Sequence, residues 1–342
     1  MTAPVPWRTA SLDHRPSGPT VATSLGVATL GLAAVAGLIQ LKRAIQAKPS
    51  PHAGPHPDAV ALVEPASFAA RELHGSAALL ATSVLTDSAL EHYRGDFENP
   101  GMITPLLASL MTVIAGASSA ASTTGRSRMT RDGIYATAVA VGAAGFAFHL
   151  YNVLRRPGGL GWLNLFYSAP IGAPAALSLA GLIGLAAQRV RDTPAGSSPS
   201  LLGVPAGQIL SALTGIGLAG TSSEVGLLHF RGAFHNPFMW LPVTVPPIAS
   251  VLMIADTVAP ARVRHGWLTR AWLALTGMLG IAGIAFHAYG VARQMGGWRN
   301  IRQNVLSGPP LSAPPSFTAL ALAGFAALSL RTRHENWKGT DS

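Results

Sequence analysis

Four histidines in apolar stretches have the greatest capacity for chemistry in this sequence. Two lie in similar strings, His92 in LEHYRGDFENPGM and His229 in LLHFRGAFHNPFM. The other two lie in a second similar pair, His149 in GFAFHLYNVLRRPGG and His287 in GIAFHAYGVARQMGG. Neutral imidazole binds haem iron axially and also binds copper or zinc, and ionisable groups in membrane-spanning helices usually face the bundle interior. The four histidines are therefore predicted ligands of b-type haem or, as the alternative, of a metal ion.

Arginines follow all four histidines. Arg94 and Arg231 come two residues after the first pair, and Arg155 and Arg293 come six residues after the second pair. An arginine can form two parallel hydrogen bonds with one carboxylate. These four arginines are therefore predicted to bind the haem propionates at the polar edge of the cofactor.

Two acids form a second candidate site. Asp87 and Glu224 each precede the nearest histidine by five residues, which is a rise of about 7.5 Å and a rotation of about 140° along a helix. The acid and the histidine do not share a helix face, so a direct hydrogen bond between them is not expected. The acids are predicted to carry protons or to contact a cation or a quinone head group. The alternative is a neutral carboxyl group bonded to a neighbouring helix.

The remainder of these strings has structural explanations. Asn-Pro predicts the start of a helix, with Asn as the N-cap and Pro first in the helix, and Arg-Gly predicts a helix end with a left-handed glycine. Small residues before His149 and His287 would make room for a porphyrin, although such residues also serve close helix packing. Met102 and Met239 would offer thioethers to a cuprous ion, with simple packing as the alternative.

The paired strings belong to an internal duplication. A shift of 137 residues aligns the first pair of strings, and a shift of 138 aligns the second pair. Further along, YSAPIGAP and LSGPPLSAP keep the same Ser-x-Pro and Ala-Pro pattern. The shift of 137 places His74 opposite Ser211 and His235 opposite Glu98, so these two histidines rank lower as functional candidates.

Hydrophobic windows of about 20 residues, the length that crosses a membrane, place these motifs on helices. Nine windows occur, at 20–41, 68–93, 102–122, 133–154, 169–188, 204–229, 237–257, 267–293 and 311–330. The predicted fold is all-α: a polytopic membrane protein with one leading transmembrane helix and two four-helix repeats, at 68–190 and 204–330. Residues 1–19 are the predicted extramembrane N-terminus, 42–67 a Pro-rich connector and 331–342 the tail. An even number of spans gives both repeats the same orientation, so the repeats are parallel.

Composition supports the membrane assignment. Only 11% of the residues are charged and the mean hydropathy is +0.36, whereas a soluble protein has about 25% charged residues. Cysteine is absent, which excludes disulfides, thiolate zinc sites, iron–sulfur clusters and haem attached through cysteine. The net charge of +10 is explained by topology signals. Because no basic stretch carries interleaved aromatics, nucleic acid is not an expected partner.

The distribution of Lys and Arg predicts the orientation. These residues are more numerous on the side that holds the loops after spans one, three, five and seven. The positive-inside rule places that side and the C-terminus in the cytoplasm, and therefore the four histidines near the outer face. The expected location is a bacterial-type inner (plasma) membrane, which the chain crosses several times.

The sequence favours an integral membrane electron-transfer protein whose paired histidines hold b-type haem near the outer face. Its partners would be the lipid bilayer, the quinone pool and a periplasmic redox protein. The predicted architecture resembles that of membrane subunits related to polysulfide reductase, which pair two four-helix bundles and bind quinone without haem; the resemblance is one of architecture alone. One alternative is a transporter or channel with its path between the two repeats. The other is a non-catalytic membrane anchor or assembly subunit.

Overall fold

The computed structural model describes residues 59–121, 128–168, 170–194, 197–258 and 266–340, and these are almost entirely helical. The helices are α1 (Ala59–Arg94), α2 (Thr104–Ala121), α3 (Arg128–Leu154), α4 (Trp162–Tyr167), α5 (Gly172–Arg191), α6 (Ala206–Arg231), α7 (Val245–Val258), α8 (Gly266–Ala292), α9 (Ile301–Ser307) and α10 (Pro315–Thr340). Short 3-10 helices occupy Pro100–Ile103, Pro237–Val243 and Gly297–Asn300. A small antiparallel hairpin, β1 (Ser200–Leu201) and β2 (Val204–Pro205), connects α5 to α6.

Several helices are suited to a membrane. Five helical segments of the described residues are long and apolar enough to span one: Pro100–Ala121, Met129–Leu154, Gly172–Arg191, Pro237–Val258 and Gly266–Ala292. Large apolar side chains such as Leu107, Phe148 and Val251 are exposed on their outer surfaces, where hydrocarbon rather than water is the favourable surrounding. These features indicate an all-α, multi-pass membrane protein. The predicted leading helix at 20–41 lies outside the described residues.

The long helices pack as two groups of four. In the first group α1 packs on α2 and α5, and α3 packs on the same two helices. In the second group α6 packs on α7 and α10, and α8 packs on those two. The groups meet where α1 lies against α10 and α5 against α6. Buried apolar side chains are most numerous on α1, α5 and α10, so the centre of the core lies at this junction.

Glycine lets α3 and α5 approach closely. A Cβ atom at Gly142 would lie 2.5 Å from the backbone nitrogen of Ser178 and 2.6 Å from the carbonyl oxygen of Pro174. Ser178 uses this proximity, since its Oγ donates to the carbonyl of Val139 at 3.0 Å. Close backbone approach and hydroxyl-to-carbonyl bonds are the usual means of joining helices in a membrane, where apolar surface gives no preference for another helix over lipid.

The contact between α8 and α10 has the same construction. A Cβ atom at Gly280 would collide with Thr318 Oγ1 and would lie 2.8 Å from the carbonyl oxygen of Pro314. Thr318 Oγ1 donates to the carbonyl of Gly277 at 2.8 Å. The two helix groups therefore use corresponding residues for corresponding helix contacts.

Candidate functional site

Each of the four predicted histidines holds the chain segment that follows its own helix. On α1, His92 Nδ1 donates to the carbonyl oxygen of Met102 at 2.7 Å. On α6, His229 Nδ1 donates to the carbonyl oxygen of Met239, also at 2.7 Å. Both bonds connect the end of a helix to the start of the next one, so each histidine fixes a helix-to-helix turn.

The second pair of histidines makes the same kind of bond over a longer stretch. On α3, His149 Nδ1 donates to the carbonyl of Pro170, and on α8, His287 Nδ1 donates to the carbonyl of Pro310 at 2.6 Å. Because a carbonyl oxygen only accepts, the proton of each neutral ring is on Nδ1 and the lone pair is on Nε2. Histidines that bind metals are usually held in this way, with one ring N–H bonded to a carbonyl or carboxylate.

The histidines come together in pairs. His92 and His149 are close enough to interact electrostatically, and so are His229 and His287. Within the described ranges, no three His, Asp or Glu side chains form a group that could hold a metal ion. A metal centre shared by all four histidines therefore lacks support there, whereas axial haem ligation requires only two histidines.

An unusual turn follows His92. Asp96 and Phe97 both have a φ of 49°, a left-handed conformation that is uncommon in residues other than glycine. Gly95 is not left-handed, so the prediction of a left-handed glycine cap is wrong. Gly95 instead packs against Met102, whose Cε would lie 3.3 Å from a Cβ atom at position 95. The turn brings the Phe97 ring edge-on to the imidazole of His92, with 6.2 Å between centroids.

The turn after His229 has the same geometry. Ala233 and Phe234 are left-handed, with φ of 57° and 45°, while Gly232 has a φ of −80°. A Cβ atom at Gly232 would lie 3.1 Å from Met239 Cε, and Phe234 lies edge-on to His229 at 6.1 Å. Packing on glycine accounts for the recurrence of the two methionines without a cuprous ion.

The Asn-Pro pairs begin the next helical segment, as predicted. Asn99 Oδ1 accepts a hydrogen bond from the backbone nitrogen of Gly101 at 2.8 Å, and Asn236 Oδ1 accepts one from Phe238 at 3.0 Å. A proline follows each asparagine as the first residue of the 3-10 helix. This part of the motif is an N-cap, which accounts for both residues of each pair.

Arg94 and Arg231 bind backbone carbonyls of the opposite helix group. Arg94 donates to the carbonyl of Leu306 and also pairs with Glu91. Arg231 donates to the carbonyl of Phe166 at 3.3 Å. Leu306 and Phe166 lie near the ends of the short helices α9 and α4. The two arginines therefore join the helix groups, and this contact explains their recurrence without a propionate.

Arg155 and Arg293 have a different environment. Each guanidinium lies over a tyrosine ring of its own helix, at 6.0 Å from the centroid of Tyr151 and at 5.5 Å from that of Tyr289. Both arginines are exposed. Arg94 and Arg231 are exposed as well, so the difference is that their guanidinium groups also donate to backbone carbonyls of the other half.

The glycines before His149 and His287 serve helix packing. A Cβ atom at Gly145 would lie 3.3 Å from the Cβ of Pro174, and one at Gly283 would lie 2.8 Å from the Cβ of Pro314. These contacts join α3 to the start of α5 and α8 to the start of α10. Close helix packing, the alternative explanation of these glycines, therefore accounts for Gly145 and Gly283.

The two predicted acids lie at the junction of the helix groups. Asp87 on α1 accepts a hydrogen bond at 3.0 Å from the hydroxyl of Ser312, which precedes α10. Glu224 on α6 accepts one at 3.2 Å from the backbone nitrogen of Gly172, which begins α5. The carboxyl groups of Asp87 and Glu224 are close enough to interact electrostatically. Each acid thus reaches across to the opposite group, and the pair faces the plane between the groups.

The partners of the acids differ in a compensating way. Gly172 ends YSAPIG and Ser312 ends LSGPPLS, so the duplication places these two residues in corresponding positions. A Cβ atom at Gly172 would collide with the carboxyl group of Glu224, whereas Asp87 is one methylene shorter and leaves room for a serine. Sequence reasoning missed both partners. The signal that could have identified these partners is a difference in side-chain size: the longer acid, Glu224, is paired with a glycine, and the shorter acid, Asp87, is paired with a serine.

Comparison of the chain with protein-family models, with curated proteins and with solved structures finds no match.

Proposed function

We propose that the protein is an integral membrane electron-transfer protein that binds b-type haem through two histidine pairs, His92 with His149 and His229 with His287. The observation that carries this proposal is that all four imidazole rings have the same tautomer. Each donates Nδ1–H to a backbone carbonyl, which leaves Nε2 as the coordinating atom. Bound haem would supply a one-electron redox centre, and the histidines would hold its iron.

The surroundings of the histidines are compatible with this role. Phe97 and Phe234 give two of the rings an apolar contact, and Arg155 and Arg293 are exposed, where they could bind carboxylates bidentately. Of the four arginines first predicted to bind propionates, we retain these two. A periplasmic protein and the quinone pool are the proposed redox partners.

The proposal includes a membrane arrangement. We infer nine spans, with one leading helix before two parallel four-helix units that correspond to the two observed groups. The corresponding contacts of Gly142 with α5 and Gly280 with α10 support a common origin of the units. The excess of Lys and Arg supports a cytoplasmic C-terminus, with the histidines near the outer face of a bacterial-type plasma membrane.

The visible spectrum tests haem binding. Protein purified in detergent after expression with a haem supply is expected to show Soret and α bands that sharpen on reduction with dithionite. Because replacing a histidine also removes its bond to a carbonyl, the variants are His→Asn, in which the amide still donates but the Nε2 ligand is lost. His92→Asn and His287→Asn should each reduce haem content, measured as the pyridine haemochrome.

The controls are the two histidines outside the pairs. His74→Asn and His235→Asn should retain the haem content of the unaltered protein. A wild-type protein without haem bands, or a haem content unaffected by both His92→Asn and His287→Asn, would show that the proposal is wrong.

A second candidate function rests on the facing carboxyl groups. We propose that Asp87 and Glu224 would pass a proton or a small cation between the helix groups if the protein is a transporter. Two carboxyl groups near each other at the junction of two units are suited to such a path. Flux into proteoliposomes, followed with an entrapped pH-sensitive dye, should then be abolished in Asp87→Asn and in Glu224→Gln. Flux should persist in the control variant Glu98→Gln, because Glu98 is an exposed acid. Flux retained in both Asp87→Asn and Glu224→Gln would refute this path.

A further inference from the structure

A third buried carboxyl group lies on α1, well separated from the acid pair at the junction. Glu72 is 3% exposed, and in the described part of the chain its Oε1 is buried without a hydrogen-bond partner. A lone carboxylate is strongly disfavoured in apolar surroundings, so such a group either binds a proton or lies near a positive charge. An ionisable residue within a membrane-spanning helix usually belongs to a proton or ion path.

Glu72 lies on the face of α1 that packs on α10. Ser76 Oγ donates to a backbone carbonyl of α10 at 2.7 Å, and Ser83 Oγ donates to the carbonyl of Ser312. Asp87 accepts a hydrogen bond from the hydroxyl of that same serine. Successive polar residues of this face, from Glu72 to Asp87, are 4, 7 and 4 residues apart, so all four lie within about 60° around the helix. This face of the junction therefore has an acid at each end and serines between them.

The two acids of this face are far apart along the helix. Glu72 and Asp87 are separated by 15 residues, which is about 22 Å, a large part of the hydrocarbon layer of about 30 Å. Because Asp87 lies near the end of the bundle that carries the four histidine rings, Glu72 lies towards the opposite end. The junction thus has a carboxyl group near each side of a membrane.

A positive charge from the other helix group lies within electrostatic reach of Glu72. It belongs to Arg270, in the first turns of α8. This arginine is only partly buried, and it lies near the same end of the bundle as Glu72. Arg270 therefore supplies the opposite charge that an ionised Glu72 requires, from the far side of the junction.

Other charged groups near Glu72 have different partners. Arg71 and Arg191 each donate to a backbone carbonyl of α2, and α2 itself has no ionisable residue. His74 Nδ1 lies 2.9 Å from a tyrosine hydroxyl of α3. The side chain of Arg331 on α10 packs on a glycine of α6. Arg270 is therefore the charged group that bears on the Glu72 carboxyl.

The second unit has a different arrangement at the corresponding positions. The shift of 137 places Ile209 opposite Glu72, and the shift of 138 places Asp132 opposite Arg270. Asp132 pairs with Arg189 of its own helix group at 3.0 Å. The repeated fold therefore does not require a buried acid here, and Glu72 is a feature of the first unit.

We propose that Glu72 is a proton-binding site at the end of the junction opposite the histidines, with Arg270 stabilising its ionised form. A proton that has passed the pair of Asp87 and Glu224 is taken up by the Glu72 carboxylate. Release of that proton to the solution on the far side restores the carboxylate beside Arg270. This inference rests on the second candidate function, the path through the acid pair, and identifies the other end of that path.

Proton flux into proteoliposomes tests the role of Glu72. Glu72→Gln keeps the size of the side chain but cannot bind and release a proton, so it should abolish flux. Glu72→Asp keeps an acid at this position and should retain part of the flux. The matched control is Glu98→Gln, the same substitution at an exposed position, which should leave flux unchanged.

Stability separates this role from a structural one. Because Glu72 Oε1 makes no hydrogen bond within the described residues, Glu72→Gln should not lower the free energy of unfolding in mixed micelles. A marked loss of stability would assign Glu72 a structural role and overturn the inference. Flux lost in Asp87→Asn but retained in Glu72→Gln would also overturn it, while leaving the path through the acid pair intact. Absence of flux in the unaltered protein would refute both.

Discussion

Gly142→Ala is expected to destabilise the protein by about 3 kcal/mol, the upper part of the range for overpacking in a rigid core. The added methyl group would lie 2.5 Å from the backbone nitrogen of Ser178 and 2.6 Å from the carbonyl of Pro174. Backbone atoms cannot rotate away as side chains can, so α3 and α5 would have to separate. Separation would also break the bond from Ser178 Oγ to Val139. The measurement is the free energy of unfolding in mixed micelles with increasing dodecyl sulfate.

Two other helix glycines are matched controls for this substitution. A Cβ atom at Gly133 on α3, or at Gly220 on α6, has nothing within 4 Å. Alanine favours the helix over glycine by about 1 kcal/mol, so Gly133→Ala and Gly220→Ala should leave stability unchanged or raise it slightly. Equal stability of Gly142→Ala and Gly133→Ala would contradict the close approach of α3 and α5.

Gly172→Ser is expected to cost about 2 kcal/mol, because the Glu224 carboxyl group must move and lose its hydrogen bond from the backbone nitrogen at 172. Combining it with Glu224→Asp should recover most of the loss, since the shorter acid makes room for the serine. The double variant reproduces the combination that the other half of the junction already has in Asp87 and Ser312.

The recovery is read from the same unfolding measurement as a double-mutant cycle, in which neighbouring residues are expected to show a coupling energy. Independent effects of the two substitutions, with no recovery, would show that Glu224 and residue 172 do not share one space. The reverse exchange at the other position, Ser312→Gly with Asp87→Glu, should also be tolerated better than Asp87→Glu alone.

The sequence predicted the features that depend on local residue patterns. The helices follow from long apolar runs, and the predicted window at 267–293 differs by one residue at each end from α8 at Gly266–Ala292. The N-caps at Asn99 and Asn236 follow from a short side chain before proline. The prediction of a left-handed glycine at position 95 was wrong. Gly95 packs against Met102 Cε instead, and residue preferences do not report such a contact across a turn.

Only the tertiary structure decided what the repeated polar residues bind. Arg94 contacts a residue 212 positions away and Asp87 one 225 positions away, and such pairings depend on how the two helix groups meet. The partners of the histidines are backbone carbonyls, which every residue has and which therefore leave no mark in the sequence. The duplication determined by itself that these residues occur in pairs. The packing of α1 on α10 and of α5 on α6 determined that both acids, together with Arg94 and Arg231, reach into the other half.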